Sequence, residues 1–413
     1  MAPKKVNLAL QGGGAHGAFT WGVLDRLLEV DDLVIEGISG TSAGAMNAAM
    51  LVNGYMQGGR EGAKQALETF WWRISKAAAF SPLHQNRLER ALVGYNMDMS
   101  PVYHWFDVLS RMFSPYELNP MNINPMRGIL DDMLDMQAIQ ACSAIRLFIT
   151  ATHVASGQAR VFKCDEITTD VLMASACIPF LFQAAEINGE YYWDGGYMGN
   201  PAIWPLIYNC QSEDVILVQI NPIHDDLLPR SASEIINRLN EITFNSSLVA
   251  EMRAIAFVTK LLDTGKLSGK EYKRMRMHLV YAADEMHNLN ASSKLNADWD
   301  FFQYLRAIGR KAADGFLANH WKSVGKESTL DIAGKFLGNP AAPKPESMPE
   351  RGAKKQMETA VATKGPGAVK KTPADKMPKK KAAVKPTAKK PAASPALKAK
   401  AQHHKQKSVN KKK

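Results

Sequence analysis

The chain has 413 residues and is 46% hydrophobic, which is enough for a large buried core and for more than one domain. Its net charge of +11 is unevenly distributed. Residues 341–413 hold 20 Lys and 1 Arg against 4 acidic residues, whereas the first 340 residues hold 30 basic and 36 acidic ones. The body is therefore a mildly acidic globular protein, and the basic pI belongs to the tail.

The cysteines and the apolar segments indicate the cellular compartment of the protein. Cys142, Cys164, Cys177 and Cys210 have no metal-type spacing, which predicts buried thiols in a reducing compartment. The apolar run near the N-terminus is too short for a signal peptide. The uncharged stretch at residues 171–185 contains a proline and is too short to span a membrane. We expect a cytoplasmic protein with no transmembrane segment.

The N-terminal region alternates between strand and helix patterns. Residues 6–10 predict a buried strand and residues 18–29 a helix with one apolar side. Residues 33–38 predict a second strand, and residues 43–51 a helix of small residues. This order predicts a parallel sheet covered by helices.

A long insert at about 54–136, mostly helical and broken by five prolines, interrupts this alternation. The patterns after it predict paired strands at 146–154 and 158–162, a helix at 170–177, strands at 186–192, 215–220 and 278–282, and helices at 235–262 and 298–321.

Methionines are concentrated in the second half of the insert and at its end. Flexible thioethers suit a pocket for variable acyl chains, and an insert of this kind is plausible as a lid that excludes water. The simpler interpretation, which we favour slightly, is an ordinary core of packed helices. The methionines are Met97, Met99, Met112, Met121, Met126, Met133 and Met136.

A glycine-rich turn follows the first strand in the segment QGGGAHG. Its spacing, Gly12-x-Gly14-x-x-Gly17, matches the dinucleotide-binding fingerprint. That fingerprint also needs an acidic residue at the end of the second strand, whereas Asp31 and Asp32 precede that strand. A nucleotide-binding oxidoreductase is therefore the weakest of the functions considered.

The second strand ends in GTSAG, the pattern of a nucleophile elbow between a strand and a helix. Gly40 and Gly44 let the strand and helix approach, and the Ser42 hydroxyl projects above the sheet. A serine nucleophile needs a base and also needs donors for the developing oxyanion. The neighbouring glycine turn can supply free backbone N–H groups, so we interpret it as an oxyanion hole.

The base is the remaining requirement. His16 lies within the glycine turn and His153 near a strand end, but neither has an obvious carboxylate partner in the sequence. We expect His16 to pack or hydrogen-bond and His153 to be structural. Asp194, in YYWDGGYMGNP, follows a strand and is a better candidate.

The segments QGGGAHGAFTWGVL, GISGTSAGAMNAA and WDGGYMGNPAIWPL together resemble the patatin-like phospholipase family over roughly residues 8–208. The resemblance implies a three-layer α/β/α serine hydrolase with a mainly parallel sheet. It implies a Ser–Asp dyad of Ser42 and Asp194 that hydrolyses acyl lipids through an acyl-enzyme, with no metal or cofactor. The residues implied for the oxyanion hole are Gly12, Gly13 and Gly14, and those implied to support the motifs are Gly17, Gly40, Gly44, Gly195 and Gly196.

The tail resembles the Lys-Ala-Pro tails of linker histones and bacterial histone-like proteins. Its composition predicts disorder, and its lysines can neutralise phosphates of nucleic acids or anionic membranes. It contains no aromatic residue, so base stacking is not expected. A solubilising tail without a fixed partner is the alternative. Through the tail, we expect contact with the inner membrane surface or the nucleoid.

These patterns predict three parts: a catalytic domain at 6–210, a mostly helical part at 211–340 that completes the fold, and a disordered tail at 341–413. The predicted function is a lipid acyl hydrolase. The alternative from another class is a protein that binds nucleic acid, granules or membranes through its tail.

Overall fold

The computed structural model describes residues 3–79, 90, 94–98, 100–225, 228–286 and 289–338, so the predictions for the tail and for Met99 lie outside the described residues. The strands are β1 (Lys4–Leu10), β2 (Leu33–Thr41), β3 (Arg146–His153), β4 (Gln158–Lys163), β5 (Ala185–Ile187), β6 (Glu190–Asp194), β7 (Asp214–Val218) and β8 (Arg276–Val280).

Helices connect and flank these strands. They are α1 (Gly17–Leu27), α2 (Ala43–Ala78), α3 (Pro101–Met112), α4 (Pro115–Leu118), α5 (Pro125–Met133), α6 (Met136–Gln140), α7 (Thr169–Ser175), α8 (Trp204–Asn209), α9 (Ala232–Asp263), α10 (Ala283–Met286), α11 (Trp299–Asn319) and α12 (Ile332–Phe336). Helix α2 contains a break at Gly58 and Gly59, whose backbone is not helical.

The strands form one mixed sheet in which hydrogen-bonded neighbours follow the path β5-β6-β3-β2-β1-β7-β8. Strand β4 also pairs with β3. Strands β2 and β6 pair with different residues of β3. The pairs from β3 through β2, β1 and β7 to β8 are parallel. The pairs that involve β4, β5 and β6 are antiparallel. The expectation of an α/β fold with a mainly parallel central sheet is thus confirmed.

Alternate side chains of the central strands pack against helices on opposite faces. Leu8 and Leu10 of β1 belong to a core shared with α1, α2 and α11. Ala9, between them, belongs to a second core that includes residues of α8 and α9. Because side chains alternate along a strand, the two cores lie on opposite faces of the sheet, which gives three layers.

The prediction of a single strand at 186–192 is wrong. The chain turns back at Asn188 and Gly189, so that β5 and β6 form a hairpin. Both turn residues have positive φ, 55° and 83°, as a two-residue turn between antiparallel strands requires. The Asn-Gly pair was the sequence signal for this turn.

The methionines of the insert divide between the core and the surface. Met97 is buried, and Met126, Met133 and Met136 pack against the main core. By contrast, Met112 and Met121 are 70% and 80% exposed. A core of packed helices therefore accounts for only part of the set.

Candidate active site

Ser42 stands at a sharp turn between β2 and α2. Its backbone has φ +54° and ψ −122°, a strained conformation for a residue with a side chain. The close approach of the flanking elements excludes larger residues nearby: a Cβ on Gly44 would lie 2.2 Å from the Leu10 carbonyl oxygen. Ser42 is 8% exposed and is the N-cap residue that precedes helix α2. This is the geometry expected from the GTSAG pattern.

Asp194 is the last residue of β6 and is 1% exposed. Burial raises the pKa of this carboxyl group to about 7, although two hydrogen-bond donors act to lower it. The donors are the Gly196 amide, 2.7 Å from Asp194 Oδ1, and the Ser42 side chain. The two predicted dyad residues therefore lie together, and the carboxyl group titrates near neutral pH.

Strand β3 explains why these two residues meet. Thr41, the last residue of β2, is opposite Thr150, and Asp194 is opposite Ala151. Because β4 occupies the other edge of β3 over these positions, β2 and β6 must share one edge. Their C-terminal ends therefore face each other on neighbouring residues of β3.

Ser175, at the end of α7, connects the elbow to β3 and was not identified from the sequence. Its Oγ accepts a hydrogen bond from the Ser42 amide at 2.9 Å and donates one to the Thr150 carbonyl oxygen at 2.7 Å. The side chain is completely buried. A serine near the end of a short helix carries no motif, so only the structure reveals this contact.

The glycine turn lies against Ser42, but its first amide is occupied. The Gly12 amide donates to Asn200 Oδ1 at 2.6 Å, so the prediction that Gly12 supplies a free donor is wrong for this conformation. Within the described residues, the amides of Gly13 and Gly14 make no hydrogen bond. A Cβ on Gly12 would lie 2.8 Å from Ser42 Cβ, which places the turn beside the hydroxyl-bearing carbon.

Buried amide side chains hold the turn in place, and the sequence analysis missed them. Gln11 Oε1 accepts hydrogen bonds from the backbone amides of Ile220 and Asn221, both at 2.7 Å. Gln11 Nε2 donates to Asn245 Oδ1 at 2.9 Å. These contacts join the N-terminal turn to the segment after β7 and to α9. Isolated Gln and Asn residues offer no sequence signal for such a network.

The two histidines considered as bases have other partners. His16 Nε2 lies 2.7 Å from Ser293 Oγ, and burial lowers its pKa well below the usual value. His153 contacts Ser156 and Glu190 through its two ring nitrogens. Their places agree with the packing and structural roles predicted for them.

A cavity of about 430 Å³ lies between the insert and the β5–β6 hairpin, and neither Ser42 nor Asp194 lines it. Its wall includes Tyr116 and Arg127 from the insert, and Cys177 and Phe182 after α7. The Cys177 carbonyl oxygen accepts a hydrogen bond from the Asp194 amide at 2.7 Å. Burial, and to a smaller extent the charge of Asp194, raise the pKa of the Cys177 thiol to about 11, so this thiol is not a nucleophile at neutral pH.

Among the described residues, no group of three or more His, Cys, Asp or Glu side chains is arranged to hold a metal ion. In the same part of the chain, no helix is both long and apolar enough to cross a membrane.

Comparison with solved structures gives distant similarities. VipD from Legionella pneumophila is 16% identical, with 77% of this chain and 68% of VipD covered and a TM-score of 0.37. The type III effector ExoU is 14% identical, with 77% of this chain and 53% of ExoU covered and a TM-score of 0.28. In the ExoU–SpcU complex from Pseudomonas aeruginosa, the matched chain is 15% identical, with coverages of 82% and 58% and a TM-score of 0.27.

The chain thus spans little more than half of these ExoU chains. No curated protein matches the sequence significantly. The family comparison is more specific, because the model described as patatin-like phospholipase matches residues 8–207, which include the glycine turn, the elbow and Asp194. The chain therefore carries a domain of the patatin-like phospholipase family at residues 8–207.

Proposed function

We propose that the protein is a serine hydrolase that cleaves carboxylic ester bonds of lipids with a dyad of Ser42 and Asp194. The observation that carries this proposal is the buried Asp194 carboxyl group beside the strained Ser42 turn, with a pKa of about 7. A base with a pKa near the working pH takes up and returns a proton most effectively. Asp194 can therefore serve as base without a histidine.

The reaction follows from this arrangement. Ser42 Oγ attacks the acyl carbonyl carbon while Asp194 takes the hydroxyl proton. The tetrahedral intermediate collapses and expels the alcohol, which receives that proton from Asp194. Asp194 then removes a proton from water, and the resulting attack on the acyl-enzyme releases the carboxylic acid and returns the proton to Ser42 Oγ.

The negative oxygen of each intermediate needs donors. We assign this role to the amides of Gly13 and Gly14, which lie in the turn packed against Ser42 and have no partner among the described residues. The Gly12 amide is bonded to Asn200 and fixes the turn. The N-terminus of α2, which follows Ser42 directly, adds a favourable dipole at the same place.

A lipid substrate is supported by the surface of the insert. Helix α3 and the segment after it expose large apolar side chains, which we call the insert surface: Trp105, Met112, Phe113, Leu118, Met121 and Ile123. The same segment lines the cavity through Tyr116 and Asn122. An exposed apolar surface on the segment that also lines this cavity suits a substrate drawn from a lipid surface.

The test compares a soluble ester with a lipid. Wild type and Ser42→Ala are assayed with p-nitrophenyl butyrate and with phosphatidylcholine vesicles, and wild type is labelled with a fluorophosphonate that is located by peptide mass spectrometry. We expect hydrolysis of both substrates by wild type only, and the label on Ser42. Activity that survives Ser42→Ala, or a label on another residue, would contradict the proposal.

A further inference from the structure

The peptide unit between Gly12 and Gly13 accepts a hydrogen bond at its carbonyl oxygen, and its N–H group, on the other side of the unit, is a proposed oxyanion donor. The Gly12 carbonyl oxygen accepts from Asn221 Nδ2 at 2.9 Å. The same peptide unit carries the Gly13 amide, one of the proposed oxyanion donors. Because the peptide bond is a resonant unit, a donor at its oxygen polarises its N–H, and hydrogen bonds in such a chain strengthen one another.

Lys294 fixes the orientation of Asn221. Lys294 Nζ donates to Asn221 Oδ1 at 2.7 Å. An ammonium group has only donors, so the side-chain oxygen of Asn221 must face it. The NH₂ end is then directed to the Gly12 carbonyl oxygen. A continuous path of hydrogen bonds thus leads from a positive charge to the Gly13 amide.

The segment that carries Lys294 is fastened to the glycine turn. Lys294 belongs to a short 3₁₀ helix, Ala291–Leu295, and its own carbonyl oxygen would lie 2.6 Å from a Cβ on Gly14. The preceding residue, Ser293, contacts the His16 ring at 2.7 Å. This segment lies outside residues 8–207, which match the family model, so the second half of the chain contributes to the site.

The charge of Lys294 is not neutralised by a close partner. Among the described residues, no carboxylate oxygen lies within 4 Å of its Nζ. The charged or titratable groups that act on it are Glu241 of α9 and His16 of the glycine turn. Glu241 is itself paired with Arg238. A half-buried, unneutralised cation behind an oxyanion loop favours negative charge in that loop.

We propose that Lys294, acting through Asn221, is a positioning residue that polarises the Gly12–Gly13 peptide and strengthens the Gly13 amide as an oxyanion donor. The inference rests on the proposed function. It predicts that the charge of Lys294 acts on the transition state and not on substrate binding.

The test uses Lys294→Met, which keeps the length of the side chain and removes the charge, in the full-length chain. The matched control is Lys335→Met, another half-buried lysine, which lies over the Tyr281 ring and whose ammonium group makes no hydrogen bond to the glycine turn or to Asn221 within the described part of the chain. With p-nitrophenyl butyrate, we expect kcat to fall about tenfold in Lys294→Met at unchanged KM, because one donor is weakened and not removed. Lys335→Met should retain the wild-type kcat.

A second readout reports on the oxyanion itself. A trifluoromethyl ketone adds to a serine nucleophile and forms an oxyanion, so it should bind Lys294→Met about tenfold more weakly. Burial lowers the pKa of Lys294, so wild-type kcat should also fall at alkaline pH, and Lys294→Met should lack that fall. If Lys294→Met does not fold, Asn221→Ala and the wild-type alkaline profile test the same path.

The outcomes are distinct. A Lys294→Met protein with wild-type kcat, inhibitor affinity and alkaline profile would overturn the role of Lys294 while leaving the dyad in place. Equal losses in Lys294→Met and Lys335→Met would overturn it as well, since the effect would then be general. Failure of wild type to hydrolyse any ester or to bind the trifluoromethyl ketone would instead reject the proposed function, and the inference with it.

Discussion

Ser42 and Asp194 lie at the facing ends of two strands that pair with the same edge of β3. Thr41, which precedes Ser42, is opposite Thr150, and Asp194 is opposite the next residue, Ala151. Strand β2 runs parallel to β3 and strand β6 runs antiparallel to it. Their C-terminal ends therefore meet, and Ser42 and Asp194 lie close together although about 150 residues separate them in the chain. The position of the base therefore depends on strand register and not on a flexible loop.

The pH dependence of activity follows from the burial of Asp194. Its carboxyl group has a pKa of about 7 and must be ionised to accept the Ser42 proton. We expect kcat/KM for a soluble ester to rise with pH and to be half-maximal near pH 7. Asp194→Asn should lower kcat/KM by about 10³-fold or more at every pH. An acidic limb that stays in Asp194→Asn would assign the titration to another group.

The same residue should affect stability in a pH-dependent way. The folded pKa of Asp194 is raised above the usual value, so its contribution is fully present below about pH 4 and is lost as pH rises through about 7. Above pH 7 the folded protein must hold a buried, ionised carboxylate, and Asp194→Asn removes that unfavourable charge. We expect the gain in the free energy of unfolding of Asp194→Asn over wild type to be larger at pH 8 than at pH 5 by about 3 kcal/mol, because the folded carboxyl group of wild type ionises between these pH values. Urea unfolding of both proteins at the two pH values measures this, and an equal difference at both would refute it.

Ser175 should be needed to keep the elbow in place. Ser175→Ala leaves the Ser42 amide and the Thr150 carbonyl oxygen without their buried partner. We expect a loss of about 1–3 kcal/mol in the free energy of unfolding, together with a lower kcat. Ser110→Ala is the control, since the Ser110 hydroxyl bonds, within the described residues, only to the Asp107 carbonyl oxygen of its own helix. Similar losses of stability and kcat in both variants would show that the Ser175 hydrogen bonds are not needed to hold the elbow.

Replacement by alanine should have opposite effects on stability at Gly44, which is closely packed at the elbow, and at Gly315, which is not. A Cβ on Gly44 would lie 2.2 Å from the Leu10 carbonyl oxygen, whereas a Cβ on Gly315 in α11 would meet no atom of the described neighbouring residues within 4 Å. Gly44→Ala should therefore destabilise the protein by about 3 kcal/mol or more, as overpacked sites do. Gly315→Ala should stabilise it by up to about 1 kcal/mol, because alanine favours the helix. Thermal and urea unfolding of the two variants distinguish these results.

The insert surface should matter for lipid in a bilayer and not for a soluble ester. Trp105 is 69% exposed on this surface, and Tyr208 in α8 is 79% exposed elsewhere. We expect Trp105→Glu to reduce hydrolysis of phosphatidylcholine vesicles about tenfold, because a charge opposes burial in lipid. Tyr208→Glu should have no such effect, and both variants should cleave p-nitrophenyl butyrate normally. Equal activity of Trp105→Glu on vesicles would assign lipid contact to another surface.

The tail prediction is tested with a chain that ends at residue 340. The 20 lysines of residues 341–413 should increase cosedimentation with anionic vesicles and not with neutral ones, and added salt should weaken the effect. The shortened protein should keep its activity on soluble esters. Equal binding of both proteins to both kinds of vesicle would exclude a role for the tail at membranes. Loss of ester hydrolysis on shortening would favour the alternative in which the tail carries the function.

The sequence alone determined the order of the elements and the identity of the dyad candidates. Ser42 and Asp194 could be selected because each belongs to a local pattern of only a few residues: the GTSAG elbow for Ser42 and an Asp-Gly-Gly at a strand end for Asp194. The parallel sheet followed from the alternation of strands and helices. The β5–β6 hairpin carries its signal in the Asn188-Gly189 turn, but each of its strands is too short to show an alternating pattern that separates it from one continuous strand.

Only the tertiary structure decided which groups surround the dyad. The Gly12 amide bonds to Asn200, the Gly12 carbonyl oxygen bonds to Asn221, and the backbone of Lys294 packs closely against Gly14. These contacts join residues that are about 190 to 280 positions apart. Single polar residues produce no periodicity and no spacing, so their meeting depends on strand register and helix packing. The raised pKa of Asp194 has the same origin, since burial exists only in the folded chain.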